Sequence, residues 1–214
     1  MFRMLEIGDP EWVASVMNLA SNRRDIHFDQ RLLVPYVAAY GWKASLAFTE
    51  EDSGYILQPV LLTSDMELRN PYNFGGPMAS NDLISSTDYI NSLNEWAKSK
   101  GVRKQYFTLV PTLVEEQLSL LNSSTIVPQF RKQSVIIDLN DQKIRGTTRR
   151  LADKAKAAGF IVKAYPLDYL KYFIDIYDVT MDRVEAKDHW RFSPKWFEAF
   201  ARFVKPCLLL AAFE

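Results

Sequence analysis

The stretch Asn70-Pro-Tyr-Asn-Phe-Gly-Gly-Pro77 has the least regular composition in the chain. Two glycines before a proline disfavour helix and strand and let the backbone approach another group closely. Gly75 and Gly76 can therefore offer backbone amides to a substrate, or make an ordinary tight turn. Tyr72, beside them, is a substrate-contact candidate, read as a rim or core aromatic rather than a proton donor. A second group is cationic. Arg149, Arg150 and Lys154 either meet a phosphate-bearing donor or acceptor, or form a solvated helix face. Arg183 follows an apolar stripe, where it can clamp a phosphate or pair with Asp182 or Glu185.

Groups able to move a proton are few. Asp178 and Asp182 stand four apart, on one face of a helix. His27 and His189 are the two imidazoles, and each reads first as a packed or surface side chain. The sequence assigns no catalytic base. Cys207 lies in an apolar run that disfavours a thiolate, so it is rejected as a nucleophile. One cysteine excludes an intramolecular disulfide and a cysteine-based zinc cluster, and two histidines argue against a histidine-rich metal site.

Lys plus Arg and Asp plus Glu are 26 each, so the 214-residue chain is formally neutral. That argues against bulk electrostatic capture of nucleic acid. The charge is uneven, however. Residues 1–100 hold 8 Lys/Arg against 13 Asp/Glu, whereas residues 131–163 hold 9 against 3. The longest near-apolar run, Cys207 to Phe213, is far short of the roughly 20 residues of a spanning helix. Arg3, Glu6 and Asp9 interrupt any secretory apolar core, and a cytoplasmic location is the expectation.

Elements alternating between helix and strand must position these groups, which predicts an α/β (α+β mixed) class. Asp9 and Pro10 open a helix over 10–20, with Val13, Val16, Met17 and Ala20 as its stripe. A second short helix covers Leu32 to Ala39. Residues 44–49 and 55–63 make an antiparallel hairpin, with Pro59 marking an edge strand or a bulge. A helix from Ser86 or Thr87 carries Tyr89, Ile90, Leu93, Trp96 and Ala97. A strand follows at 102–110, and Thr112 with Glu115 forms a capping box for a helix through Leu121. Strands are expected at 125–128 and 133–139. In the basic band, Ile144, Thr148, Leu151, Ala155 and Ala158 share one helix face, closed by Gly159. The strand Phe160 to Tyr165 then leads to a helix with the stripe Leu167, Leu170, Ile174, Tyr177 and Met181. Ser193-Pro194 starts a helix carrying Trp196, Phe197, Phe200, Phe203 and Val204. The apolar strand 206–213 either joins the sheet of residues 44–139 or belongs to a longer protein of which this chain is a piece; the second is favoured. Helix, helix, strand thus occurs twice.

This layout resembles the GNAT acyltransferase fold, and in particular its FemAB-like branch of Fem-type aminoacyltransferases, which carry two GNAT-like halves in tandem. Three stretches carry the likeness. Tyr72-Asn-Phe-Gly-Gly-Pro77 is similar to the family's aromatic-Gly-Gly-Pro segment, Arg145 to Phe160 to its basic connecting helix, and Tyr177 to Arg183 to the opening of the second half. The resemblance implies a complete GNAT-like domain over 1–140, a basic connecting helix over 141–159, and the start of a second such domain over 160–214. It implies transfer of an acyl or aminoacyl group to an amine of a cell-wall or polysaccharide precursor. Acyl-CoA or aminoacyl-tRNA is the co-substrate, with no tightly bound cofactor and no metal. In the GNAT fold the donor's pyrophosphate meets backbone amides further along than the second half reaches here. A non-catalytic ligand-binding or scaffold module is therefore the alternative reading.

Overall fold

The computed structural model describes residues 1–71, 74–82, 87–121, 146–187, 191–205, 207 and 209–213. It opens on a strand absent from the sequence reading, β1 (Phe2–Glu6), which pairs antiparallel with Ser45–Thr49 of β2 (Lys43–Glu51). Only Leu5 of β1 is buried, so no alternation announces it. Its Arg3 guanidinium grips both Glu11 oxygens, at 2.8 and 2.6 Å.

Helix α1 (Pro10–Asn18) starts as its residues predict, with the Asp9 carboxylate accepting the Glu11 N–H at 2.9 Å. The expected stripe is corrected. Val13 and Met17 are exposed, and the face turned inward carries Trp12 and Ser15. Trp12 decides the rotation: it buries far more apolar area than a valine, and its indole N–H donates to the Phe28 carbonyl at 2.9 Å. Helix α2 (Val34–Tyr40) has Pro35 in its first turn and stops at Gly41, whose φ of 66° is open to glycine without strain.

Strand β2 forms the expected hairpin with β3 (Gly54–Leu62). Two further short strands face β3 antiparallel: β4 (Glu67–Arg69) opposite Leu61 and Leu62, and β5 (Met78–Ala79) opposite Ile56 and Leu57. Between these two pairings, Gln58, Pro59 and Val60 have no ladder partner on this side of β3 among the described residues. Pro59 has no N–H to give a ladder, and the ladder on this side of β3 is interrupted around it. It marks an interruption within an interior strand, since β3 is paired on both sides.

Helix α3 (Thr87–Ser99) carries the chain from this edge to β6 (Lys104–Tyr106), which pairs parallel with β4. The expected strand 102–110 is thus reduced to three residues, with Leu109 meeting Gly75 in a separate parallel bridge. The sheet order is β1-β2-β3-β4-β6, with β5 on β3. Both faces are covered. Leu46, Phe48, Leu57 and Leu61 pack with Trp12, Phe28 and Tyr36, while Ala47, Ile56, Val60 and Leu68 pack with Tyr89, Ile90 and Leu93 of α3. Burial on two sides explains why β2 and β3 read as near-continuous apolar runs. Helix α4 (Val114–Leu121) opens at Val114, later than a Thr112 cap would set it.

The strands expected at 125–128 and 133–139, and residues 141–145, lie outside the described residues. Beyond them, α5 (Gly146–Ala157) has no buried residue, and Leu151 is 60% exposed. Of its expected apolar face, Thr148, Leu151, Ala155 and Ala158 are all exposed, and Ile144 lies outside the described residues. Next come β7 (Ile161–Tyr165), α6 (Leu170–Arg183), α7 (Pro194–Phe203) and β8 (Leu209–Phe213). Strand β8 pairs antiparallel with β7, and among the described residues these two form a sheet separate from β1 to β6, so β8 does not join the strands described between residues 44 and 121.

The two parts meet through aromatic side chains. Tyr36 of α2 lies against Trp196 of α7 and Phe192, with ring centroids 5.7 and 6.3 Å apart. The Tyr40 hydroxyl accepts the Ser193 N–H at 3.1 Å. Among the expected stripe of α7, Trp196 and Val204 are buried whereas Phe203 is exposed.

Candidate functional site

Strands β4 and β6 leave their parallel pairing after Arg69 and Tyr106, and the segment after β4 fills the opening. Asn70 is the first residue there and is buried; its side-chain oxygen accepts the Thr108 N–H at 2.9 Å, tying the two strand ends together. Gln117 of α4 is fully buried and works from the other side. Its oxygen accepts the Val110 N–H at 2.7 Å and its amide donates to the Gly75 carbonyl at 2.5 Å. Gly75 and Gly76 pass between these two amides at φ 156° and 89°. A Cβ on Gly75 would land on the Asn70 side chain, and one on Gly76 would come within 2.9 Å of Gln117 Nε2 and 3.0 Å of Leu109 Cδ2. The glycines are required by close packing as well as by dihedral angle. Their backbone is buried, so it is the seam of the sheet that they serve directly. The Asn70 side-chain nitrogen, also buried, has no hydrogen-bond partner among the described residues.

Phe74, immediately before the glycines, leads to the surface of this seam. Its ring meets the His27 imidazole edge-on, with centroids 5.4 Å apart. His27 sits in a short 3-10 turn, Ile26–Phe28, because Asp25 caps it by accepting the His27 backbone N–H at 2.9 Å. The same carboxylate oxygen bonds His27 Nδ1. Burial pushes the Asp25 carboxyl up, but its hydrogen bonds from the His27 ring and backbone, and the charge of that ring, outweigh this and hold it below the usual carboxylate range. An ionised carboxylate can only accept, so Nδ1 carries the proton. With Nδ1 engaged by Asp25, Nε2 is the ring nitrogen left to meet a substrate. Aspartate-oriented imidazole of this kind suits a general base.

Two arginines precede the pair in the chain. Arg23 is buried, donates to the Ala79 carbonyl at 3.1 Å and pairs with Asp82, which pins the turn to β5. Arg24 donates to the Leu19 carbonyl at 2.7 Å. Nearby, burial raises the Tyr55 hydroxyl against the opposing charge of Arg24, and that hydroxyl donates to the Ser15 carbonyl at 2.7 Å.

The residues singled out by sequence fall on three separate elements. Gly75 and Gly76 are in the seam, Arg149, Arg150 and Lys154 are exposed on α5, and Arg183 is exposed at the end of α6. Arg183 lines a shallow groove of about 290 Å³ with Asp175, Ile176, Val179 and Thr180. Asp182 pairs with Arg191 at 2.7 Å, and Asp178 is exposed. Tyr72 and His189 lie outside the described residues. Sequence reasoning missed Asn70 and Gln117 and read His27 first as a packed or surface side chain. The signal available for His27 was the Asp-x-His spacing, in which one carboxylate can cap a turn and hold the ring two residues on. Among the described residues no cluster of His, Cys, Asp and Glu could hold a metal ion. No helix of the described chain is long and apolar enough to cross a membrane. No family model, curated protein or solved structure matches this chain.

Proposed function

We propose that the chain is a FemAB-like transferase of the GNAT type, moving an acyl or aminoacyl group from a thioester or aminoacyl-tRNA donor to an amine of a cell-wall or polysaccharide precursor. One observation supports this above others. Two helices separate the antiparallel pair β1 and β2, a hairpin leads to β3 and β4, and a helix crossover returns the chain as β6 parallel to β4. The two helices, the hairpin, and the helix followed by a strand are the elements on which the resemblance rests; β1 and β4 are additions to that order. The order strand–helix–helix–strand, with its outer strands paired antiparallel, recurs over β7, α6, α7 and β8.

In this reading the acceptor amine attacks the donor carbonyl carbon, and the C–S or C–O bond to the donor breaks. The proton lost by the nitrogen passes to His27 Nε2, which Asp25 holds in place. General-base assistance of this sort is worth about 10²–10⁴ in rate. The test is a donor screen with acyl-CoA and aminoacyl-tRNA against amine acceptors. Donor consumption is expected, and His27→Gln should lower kcat while leaving donor binding intact. A chain that neither consumes nor binds any donor ends this proposal.

The second reading, a ligand-binding module without catalysis, is favoured by a different observation. Gly75 and Gly76 are buried, and Arg149, Arg150 and Lys154 stand on a helix with no buried residue. Isothermal titration with a phosphorylated ligand separates the cases. Micromolar binding without turnover, lost in the triple alanine variant of those three cations, supports the module.

A further inference from the structure

Arg23 ends the short 3-10 turn Ser21–Arg23, and its side chain runs inward to β5, where Nη1 donates to the Ala79 carbonyl at 3.1 Å. That side chain is 10% exposed. A guanidinium so buried needs an anion beside it, because desolvating an unpaired charge is costly. The anion is the carboxylate of Asp82, bonded to Nη2, and the Asp82 side chain is 88% exposed. None of the other arginine ion pairs among the described residues joins a side chain so buried to one so exposed.

The turn that carries Asp82 is fastened without its carboxylate. The Ser80 N–H donates to the Tyr55 carbonyl at 2.8 Å, and the Ser80 hydroxyl accepts the Tyr55 N–H at 3.0 Å. The Asn81 amide donates to the Ser53 carbonyl at 2.6 Å. Arg23 adds its own bond to Ala79. Residues 79–81 are thus tied down by backbone and side chain, and the task left to the Asp82 carboxylate is to bring negative charge to the guanidinium from the solvent side. A dissolved carboxylate can do the same. Asp82 is already hydrated, so releasing it into water forfeits only a surface-type ion pair on its side. The guanidinium presents a planar fork of N–H groups that fits any carboxylate, and it has N–H groups beyond the two bonds it makes among the described residues.

We propose that Arg23 is the binding residue for a small carboxylate ligand, and that Asp82 is its internal stand-in, holding the guanidinium until a ligand displaces it. The exchange is a competition between two carboxylates for one cation, with no covalent step. Burial gives the site its strength, since a charge-assisted hydrogen bond gains where water is excluded. The exposed partner gives it an entrance, since the ligand need not open the core. This proposal concerns binding alone and does not depend on the transferase reading.

The test is an NMR titration of the isotopically labelled full chain with sodium acetate, from about 1 to 100 mM at an ionic strength held constant with sodium chloride. The signals followed are the Arg23 Nε–H and the Ala79 backbone N–H. Asp82→Asn removes the competing charge at an exposed position and should bind acetate about tenfold or more tightly than wild type, with saturable shifts of both signals. Arg23→Gln, checked for folding by circular dichroism, should abolish the acetate shift at Ala79. Arg23 is buried, so if that variant does not fold, the Asp82→Asn titration decides by itself. Signals in Asp82→Asn that do not move, or that move no more readily than in wild type, overturn the proposal and leave Asp82 a structural partner. So does an acetate shift at Ala79 that survives in folded Arg23→Gln, because the ligand would then be held elsewhere.

Discussion

In the unit closed by β2, the second strand has a partner on each edge and apolar layers on each face; in the unit closed by β8, the same order of elements has one strand partner among the described residues, and Ile161, Val162 and Leu210 are exposed. The helices differ correspondingly. α1 and α2 are held by Trp12, Phe28, Tyr36 and the strands beneath them, whereas α6 buries Ile174 and leaves Tyr172, Ile176 and Val179 largely in solvent. The comparison teaches that local order sets where strands and helices form, and that stability comes from what is added beyond the second strand. β3 and α3 supply that addition in one unit.

The largest effects should come from the tryptophans that anchor each unit. Trp12→Ala and Trp196→Ala each remove a fully buried indole and should cost about 3–5 kcal/mol in urea unfolding. If Trp196→Ala costs under about 1 kcal/mol, the second unit unfolds separately and the comparison needs two transitions. Next come the glycines. Gly76→Ala meets Gln117 and Leu109 as well as a left-handed backbone and should cost about 2–3 kcal/mol; Gly159→Ala, at φ 92° with open space around it, should cost about 1 kcal/mol. Equal costs would mean that the seam yields where its packing says it cannot.

Ile176→Ser and Val179→Ser on the outer face of α6 should each stay within about 0.5 kcal/mol of wild type in monomeric protein. A larger loss would reveal that this face is covered. The smallest effect concerns Asp25. Its carboxyl is lowered in the folded state, so its contribution is fully present above the ordinary value of 3.8 and is lost as pH falls through the lower folded value. Comparing urea midpoints at pH 6 and pH 3, Asp25→Asn should lose less stability on acidification than wild type does.

Much of the frame was legible from sequence because the relevant signals are local. Asp9-Pro10, Ser193-Pro194 and Gly41 mark helix ends through capping chemistry, and the Glu51–Gly54 turn marks the hairpin. What was not legible depends on partners distant in the chain. β1 has a single buried residue and exists because β2 lies beside it. The inward face of α1 is set by a carbonyl at Phe28, and the need for Gly75 and Gly76 by side chains at 70 and 117. In the candidate site, the glycine pair stood out by composition, but only contact geometry shows that it lines an interior seam. The Asp25–His27 pair is local in sequence, but its contact with the ring of Phe74, forty-seven residues on from His27, is not.

The aromatic contact between α2 and α7 bears on how this protein can be handled. Cutting the chain ahead of α6 would strip Trp196 and Phe192 from Tyr36, leaving a sticky ring-lined flank on the N-terminal piece. Such a fragment should precipitate or need detergent even with its own sheet intact, so truncation is a poor route to a smaller soluble form.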